Sequence, residues 1–275
     1  MTVTYAERLQ KRFAGLDPQV DDLLLLEAHQ IAELPRRAPS RELAAVVHAH
    51  PRVRRFFGAR HPPIEDYLEQ LLADHGRASD DELLSCETAL LWEIADWIVY
   101  QRAPQRYDEA SEFDSGLTAI TDVVTLDGKV VIDAGAGTGQ IAFAASRAAR
   151  HIFAVEPVAT LRQYIRDKAE LLQIDNLFVL DGFLNAIPLP PASADVLLTR
   201  QAIGWKLDEE LREIERVLKP DGIALHLVGT PHPAPPDDEL HHQLMSNGYQ
   251  HGTYHEESTI KCRYWKQLEA KPSTS

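Results

Sequence analysis

Val130-Val131-Ile132-Asp133-Ala134-Gly135-Ala136-Gly137-Thr138-Gly139-Gln140-Ile141-Ala142 decides how this chain is read. A β-branched run ends in an acid. Three glycines follow at alternate positions, and a helix-like apolar pattern begins. The segment predicts a strand, a tight turn and a helix N-terminus. Glycine brings no Cβ, so a bulky ligand approaches the backbone closely. The unpaired N–H groups of a helix start face the same ligand. A nucleotide-like cofactor is the expected occupant.

Two readings compete for that cofactor. From Gly137, the segment Gly137-Thr138-Gly139-Gln140-Ile141-Ala142 fits the dinucleotide fingerprint G-x-G-x-x-[GA]. From Asp133, it fits an acid followed by G-x-G-x-G. In a dinucleotide site the first glycine closes the turn directly after the strand. Here the apolar run has already ended four residues before Gly137. The strand therefore finishes at Asp133, a carboxylate at the carboxyl edge of a parallel sheet, where open α/β sheets bind ligands. A carboxylate repels a pyrophosphate and attracts a cation.

Downstream segments extend the pattern. His151-Ile152-Phe153-Ala154-Val155-Glu156-Pro157 reads as a second strand with an acid at its exposed end, placed to accept from ribose hydroxyls. Asn176 to Gly182 reads as a third strand ending in Asp181. Ala186-Ile187-Pro188-Leu189-Pro190-Pro191-Ala192-Ser193-Ala194-Asp195-Val196-Leu197-Leu198 leads into a fourth. Leu211 to Leu225 reads as helix, turn and fifth strand.

These four motifs, in this order across roughly half the chain, resemble the class I S-adenosylmethionine-dependent methyltransferases, in the style of the small-molecule, quinone-biosynthesis-like group. Residues 186–198 are similar to that family's "lPfpdgsfDvV" stretch and residues 216–222 to its "RvLkPGG" turn. Asp221 stands where many relatives carry glycine, and aspartate tolerates left-handed turn geometry. The resemblance implies an α/β, Rossmann-like, doubly wound seven-stranded sheet closed by an antiparallel hairpin, here with a helical N-terminal region. It implies S-adenosyl-L-methionine as cofactor, bound by Asp133, Ala134, Gly135, Ala136, Gly137, Gly139, Glu156, Pro157, Asp181, Gly182, Phe183 and Arg200. Within that set Asp133 would attract the methionine amino group, Glu156 hold the ribose, and Asp181 accept from the adenine amine. Gly139 serves helix–sheet packing. Gln201 and Trp205, after the fourth strand, and Tyr107, before the first, are candidates for the acceptor pocket. The Asn-Pro-Pro-Tyr motif of amino-methylating nucleic-acid enzymes is absent.

Methyl transfer from a sulfonium is an in-line displacement whose main demands are alignment and exclusion of water. No catalytic residue is assigned on that basis. His226 is a possible base or a satisfied core histidine. His251-x-x-x-His255 has helical ligand spacing but lies in a segment read as extended, where i and i+4 are roughly 13 Å apart, so no metal site is expected.

The chain carries 28 basic and 42 acidic residues, a net charge of −14, which disfavours a nucleic-acid partner. The basic run at Arg52, Arg54 and Arg55 reads as a solvated helix face. Only two cysteines are present, Cys86 and Cys262. They point to a reducing, cytoplasmic setting, and no secretory signal is visible. Leu83 to Val99 is interrupted by three acids and is no membrane span.

Residues 1–110 read as helical and residues 111–275 as alternating strands and helices. Ser79-Asp80-Asp81-Glu82 is a capping box opening a helix that runs to Pro104, with a buried stripe of Leu83, Leu84, Leu90, Leu91, Ile94, Trp97 and Ile98. The helical region is expected to act as a cap over the cofactor, with its junction at Tyr107 to Phe113, or as a homodimer surface. Gly229 to Pro236 reads as a loop before a short helix from about Asp237. Methyl transfer to a small molecule is the leading function. An NAD-dependent oxidoreductase and a non-catalytic cofactor-binding module acting through its N-terminal helices are the alternatives.

Overall fold

The computed structural model describes residues 4–110, 116–229, 238–256 and 259–269. The chain divides into two compact units, Met1–Ser111 and Glu112–Ser275.

The first unit contains α1 (Tyr5–Arg12), α2 (Ala28–Arg37), α3 (Ser40–Ala49), α4 (Pro51–Arg60), α5 (Ile64–Asp74), α6 (Asp80–Glu93), α7 (Ala95–Arg102) and α8 (Pro104–Ala110). Ile31, Leu34, Leu43, Phe57, Leu68 and Ile98 anchor its main core. A part-buried polar tie joins three helices. Arg37 of α2 donates to both oxygens of Asp96 on α7, at 3.1 and 3.2 Å, and the Tyr5 hydroxyl of α1 donates to the same carboxylate. The Ser79 capping box is present, with Glu82 accepting from the Ser79 N–H at 3.0 Å. The single long helix expected after it is two helices. Ile94, at φ −114 and ψ 21, separates α6 from α7. The expected buried stripe also stops short, since α6 is buried only from Cys86 onward and Leu84 is 70% exposed. Arg54 pairs with Glu65 and Glu69, and Arg52 with Asp21, as a solvated face requires.

The second unit runs α9 (Gly116–Thr121), β1 (Val130–Ala134), α10 (Gln140–Ala145), β2 (His151–Val155), α11 (Ala159–Leu171), β3 (Leu177–Leu180), β4 (Ala194–Arg200), α12 (Leu207–Val217), β5 (Leu218–Val228), α13 (Glu239–Ser246), β6 (Gln250–Glu256) and β7 (Thr259–Gln267). The seven strands form one sheet in the order β3-β2-β1-β4-β5-β7-β6. β1 to β5 are parallel, and the β6–β7 hairpin enters with β7 antiparallel to β5. All five residues of β1 are buried, as a strand covered on both faces must be. Its side chains alternate. Val131 joins a core with Ile141, Ile152 and Ile165, while Val130 and Ile132 join one with Leu197, Ile214 and Val217 on the other face. Strand order switches between β1 and β4, with β2 and β3 added on one side of β1 and β4 and β5 on the other, so a crevice opens at their carboxyl ends.

Asp221 holds the left-handed turn expected of it, at φ +64. The third strand ends at Leu180, leaving Asp181 and Gly182 in the turn beyond it. Residues 230–237, most of the proline-rich loop, and Phe113 lie outside the described residues. Cys86 and Cys262 are free and buried. Among the described residues no helix is long and apolar enough to cross a membrane, and no cluster of three metal-ligating side chains occurs. His251 and His255 both lie on β6.

Candidate functional site

The glycine turn sits at the carboxyl end of β1. Gly135, Gly137 and Gly139 are all left-handed, at φ +71, +58 and +81. The N–H groups of Gly135 and Ala136 both donate to the Val155 carbonyl, at 2.8 and 3.1 Å, stitching the turn to β2. A Cβ on Gly135 would lie 2.4 Å from the Ala202 Cβ. Glycine is thus required there by the loop after β4 as well as by its φ. A Cβ on Gly139 would press on Phe143 of α10 and Ile165 of α11, so the neighbours that crowd this glycine are on helices, not on the sheet as expected.

Two carboxylates bracket the turn. Asp133, 1% exposed, accepts from the Ala142 N–H at 3.0 Å and so ties the strand end to α10. Burial pushes its carboxyl up to about 7, against the opposing pull of the Ala142 N–H and the Arg200 charge. Glu156 was expected at an exposed strand end and is instead 4% exposed. The glycine turn and the start of α11 close over it. It accepts from the Gly137 N–H at 2.8 Å and the Val158 N–H at 2.9 Å. Burial pushes its carboxyl up to about 7 as well, more than those two N–H groups lower it.

Arg162 on α11 organises the next two strand ends. It donates to the carbonyls of Glu156 and Pro157, at 2.9 and 2.7 Å, and pairs with Asp181 at 3.0 Å. Asp181 is 70% exposed at its side chain, and Phe183 beside it is 43% exposed. Gly182 admits no Cβ, which would lie 2.8 Å from Pro188 and 3.0 Å from the Ala186 carbonyl.

On the other side of β1, Arg200 ends β4. It donates to Gln140 at 3.4 Å and pairs at 3.0 Å with Glu256, a 4% exposed acid on β6 that also pairs with Lys261. Gln201 follows at φ +58, an unfavoured conformation for a side-chain-bearing residue. Its carboxamide occupies the space a Cβ on Gly229 would need, 2.3 Å away. The loop then runs to Trp205, 52% exposed. Glu210, buried in the first turns of α12, accepts from Gly204, Trp205 and Lys206 at 2.7, 3.1 and 2.9 Å. A cavity of about 500 Å³ opens beside this loop, between Gly204 and Leu207 on one side and Asp238, Leu240 and Gln243 on the other.

His226 is a satisfied core histidine. It is fully buried between the Thr199 hydroxyl at 2.9 Å and the Tyr249 hydroxyl at 3.3 Å, and burial lowers it to about 3. A neutral imidazole with both nitrogens engaged and no access to solvent has no proton-acceptor role to offer a substrate. Tyr107 lies in the helical unit, where its ring meets that of Tyr100 at 4.6 Å. Arg162, Glu210 and Glu256 were not singled out from the sequence. In helical stretches such as Leu161-Arg162-Gln163 their spacing is that of an ordinary charged surface.

Comparison with known proteins agrees with this architecture. A profile for a methyltransferase domain matches residues 132–226. The chain is 30% identical over 138 residues to a malonyl-[acyl-carrier protein] O-methyltransferase of Methylovorus sp. (strain MP688), covering 46% of this chain and 47% of that one. It is 34% identical over 128 residues to a probable histone-arginine methyltransferase 1.4 of Arabidopsis thaliana, covering 44% and 24%. The chain thus spans about half, or less, of the length of these relatives. A SAM dependent methyltransferase from Aquifex aeolicus shares the fold, with a TM-score of 0.50 at 19% identity over 60% of this chain and 98% of that one. Through residues 132–226, which carry the glycine turn, the chain contains a methyltransferase domain and shares the fold of S-adenosylmethionine-dependent methyltransferases.

Proposed function

We propose that this chain transfers the methyl group of S-adenosylmethionine to a small-molecule acceptor at the carboxyl edge of β1 and β4. One observation carries the reading. Two buried carboxylates, Asp133 and Glu156, flank a turn of three left-handed glycines. A pyrophosphate at that turn would meet two negative groups, whereas a ligand with an ammonium, a sulfonium and ribose hydroxyls finds acceptors.

The residues fit that cofactor in order along the sheet. Asp133, Ala134, Gly135, Ala136, Gly137 and Gly139 would hold the methionine portion, and Glu156 and Pro157 the ribose. Asp181, Gly182 and Phe183 would meet the adenine. Bound there, the sulfonium supplies an already activated methyl group. Ala202, seated on Gly135, joins the turn to the loop that bears Gln201 and Trp205. Glu210 fixes the Gly204–Lys206 backbone of that loop through three amides before an acceptor arrives. Arg200 would complete the cofactor side, anchored by Glu256. No general base is assigned, because His226 is closed off.

A small acceptor is favoured by the net charge of −14, which opposes nucleic acid. The relatives' names include both a carrier-protein and a histone-arginine methyltransferase, so the test must separate acceptor classes. A cytoplasmic setting, supported by two free buried cysteines, belongs to the same proposal. So does a role for residues 1–110 as a cap or a homodimer surface, with Tyr107 as an acceptor contact.

The test is incubation with methyl-labelled S-adenosylmethionine and a cell extract separated into small-molecule, protein and nucleic-acid fractions. Label should enter the small-molecule fraction. Label in protein or nucleic acid would replace the acceptor class. Cofactor binding with label in no fraction would favour a non-catalytic module.

A further inference from the structure

We infer that Arg162 is a positioning residue that holds Asp181 as the acceptor for the base end of the cofactor. This rests on the reading just given, in which an adenosyl ligand occupies the site. The glycine turn follows β1 and Glu156 follows β2, so a ligand whose sugar meets Glu156 extends its base toward the end of β3. The parallel register opposes Val155 to Leu180, and the Glu156 N–H donates to the Leu180 carbonyl at 3.1 Å. Asp181 is therefore the first side chain past the sheet on that path.

An aspartate that is 70% exposed in a turn has no intrinsic reason to keep one orientation. Arg162 supplies the reason. Its own side chain is only 12% exposed. It is fixed from below by the Glu156 and Pro157 carbonyls and reaches Asp181 Oδ1 at 3.0 Å. Engaging one carboxylate oxygen leaves the other free to accept. An oriented carboxylate rewards a base edge that donates, such as an exocyclic amine, and opposes one that presents a carbonyl. Arg162 also carries a positive charge that lowers the neighbouring Glu156. One guanidinium thus aligns the sugar-facing turn and the base-facing acid.

The experiment compares dissociation constants for S-adenosylhomocysteine and S-inosylhomocysteine, which replaces the amine by a carbonyl oxygen. It uses the full chain and the variants R162Q, R162K and D181N, with unfolding midpoints measured alongside. Wild type should prefer the amine by about tenfold or more. R162Q keeps a donor for the carbonyls but no charge, and should lose most of that preference. D181N should lose it equally, and the double variant should lose no more than either single. R162K, which keeps the charge, should retain it. A merely structural role would lower the midpoint and weaken both nucleosides alike. An unchanged ratio in R162Q, equal weakening of both ligands, or an unchanged ratio in D181N overturns the inference, and the D181N arm decides even where R162Q does not fold. Failure of wild type to bind either nucleoside would instead remove the cofactor reading beneath it.

Discussion

Replacing Glu156 by glutamine separates two roles that the geometry gives one side chain. The carboxylate accepts from Gly137 at 2.8 Å and Val158 at 2.9 Å while 4% exposed. Glutamine preserves volume but offers one oxygen, so one of the two amides faces an NH₂ group. A buried donor without an acceptor costs about 1–3 kcal/mol. The domain should therefore lose about 1–3 kcal/mol in denaturant unfolding at pH 8, with an unchanged slope. A ribose hydroxyl that donates to a carboxylate forms a charge-assisted bond worth about 1.5–3 kcal/mol, so S-adenosylhomocysteine affinity should fall about ten- to 150-fold. Calorimetric titration measures the second quantity independently of the first. The pH dependence adds a signature. Glu156 sits at about 7 in the folded chain against an ordinary value of 4.5. Between those values the unfolded chain has released a proton that the folded chain retains, so stability falls as pH rises through that window. Asp133, raised to about 7 as well, contributes in the same window, so E156Q should lose Glu156's share of the slope and keep that of Asp133. A variant with wild-type stability and affinity, or one whose slope is undiminished from wild type, would refute the assignment of both amides and the ribose to this carboxylate.

Other outcomes follow from the same geometry. Asp133 and Glu156 both lie at about 7 without a ligand, and a cation with hydroxyl donors favours their charged forms. S-adenosylhomocysteine should therefore release protons on binding, and its affinity should rise from pH 6 to pH 8, as read by calorimetry in buffers of different ionisation enthalpy. Proton uptake would contradict this. G135A should cost about 1–3 kcal/mol through the left-handed φ and the overlap with Ala202. Adding A202G should recover part of that cost, and no recovery would remove the contact as a cause. The His226 imidazole should show no titration in NMR spectra from pH 5 to pH 8, because burial holds it near 3. A midpoint within that range would reopen it as a base. E210Q should weaken the hold on Gly204, Trp205 and Lys206 and speed amide exchange at those positions, with the sheet amides unaffected.

What the sequence made legible was local. The glycine turn, the acids at the ends of β1 and β2, and the left-handed Asp221 each follow from a few adjacent residues with a fixed period. The doubly wound seven-stranded sheet and its closing antiparallel hairpin came from the family resemblance, and the strand pairing agrees with them. What stayed hidden depends on neighbours distant in the chain. Glu156 reads as an exposed strand end until the turn from β1 folds over it. Arg162 sits in a helical run of ordinary charged spacing, and only the meeting of β2 and β3 gives it three acceptors. His226 reads as either a base or a satisfied core histidine until Thr199 and Tyr249 take its two nitrogens. The break at Ile94 carries no proline or glycine to announce it, and Leu84 lies beyond the part of α6 that its neighbours cover.

The central claim is that the turn at Gly135–Gly139 serves a sulfonium cofactor and not a dinucleotide. Calorimetric titration of the full chain with S-adenosylhomocysteine and with NAD, in the same buffer, tests it most directly. Saturable binding of S-adenosylhomocysteine, with no binding of comparable strength by NAD, is the expected result. Tight NAD binding with no response to S-adenosylhomocysteine would contradict it.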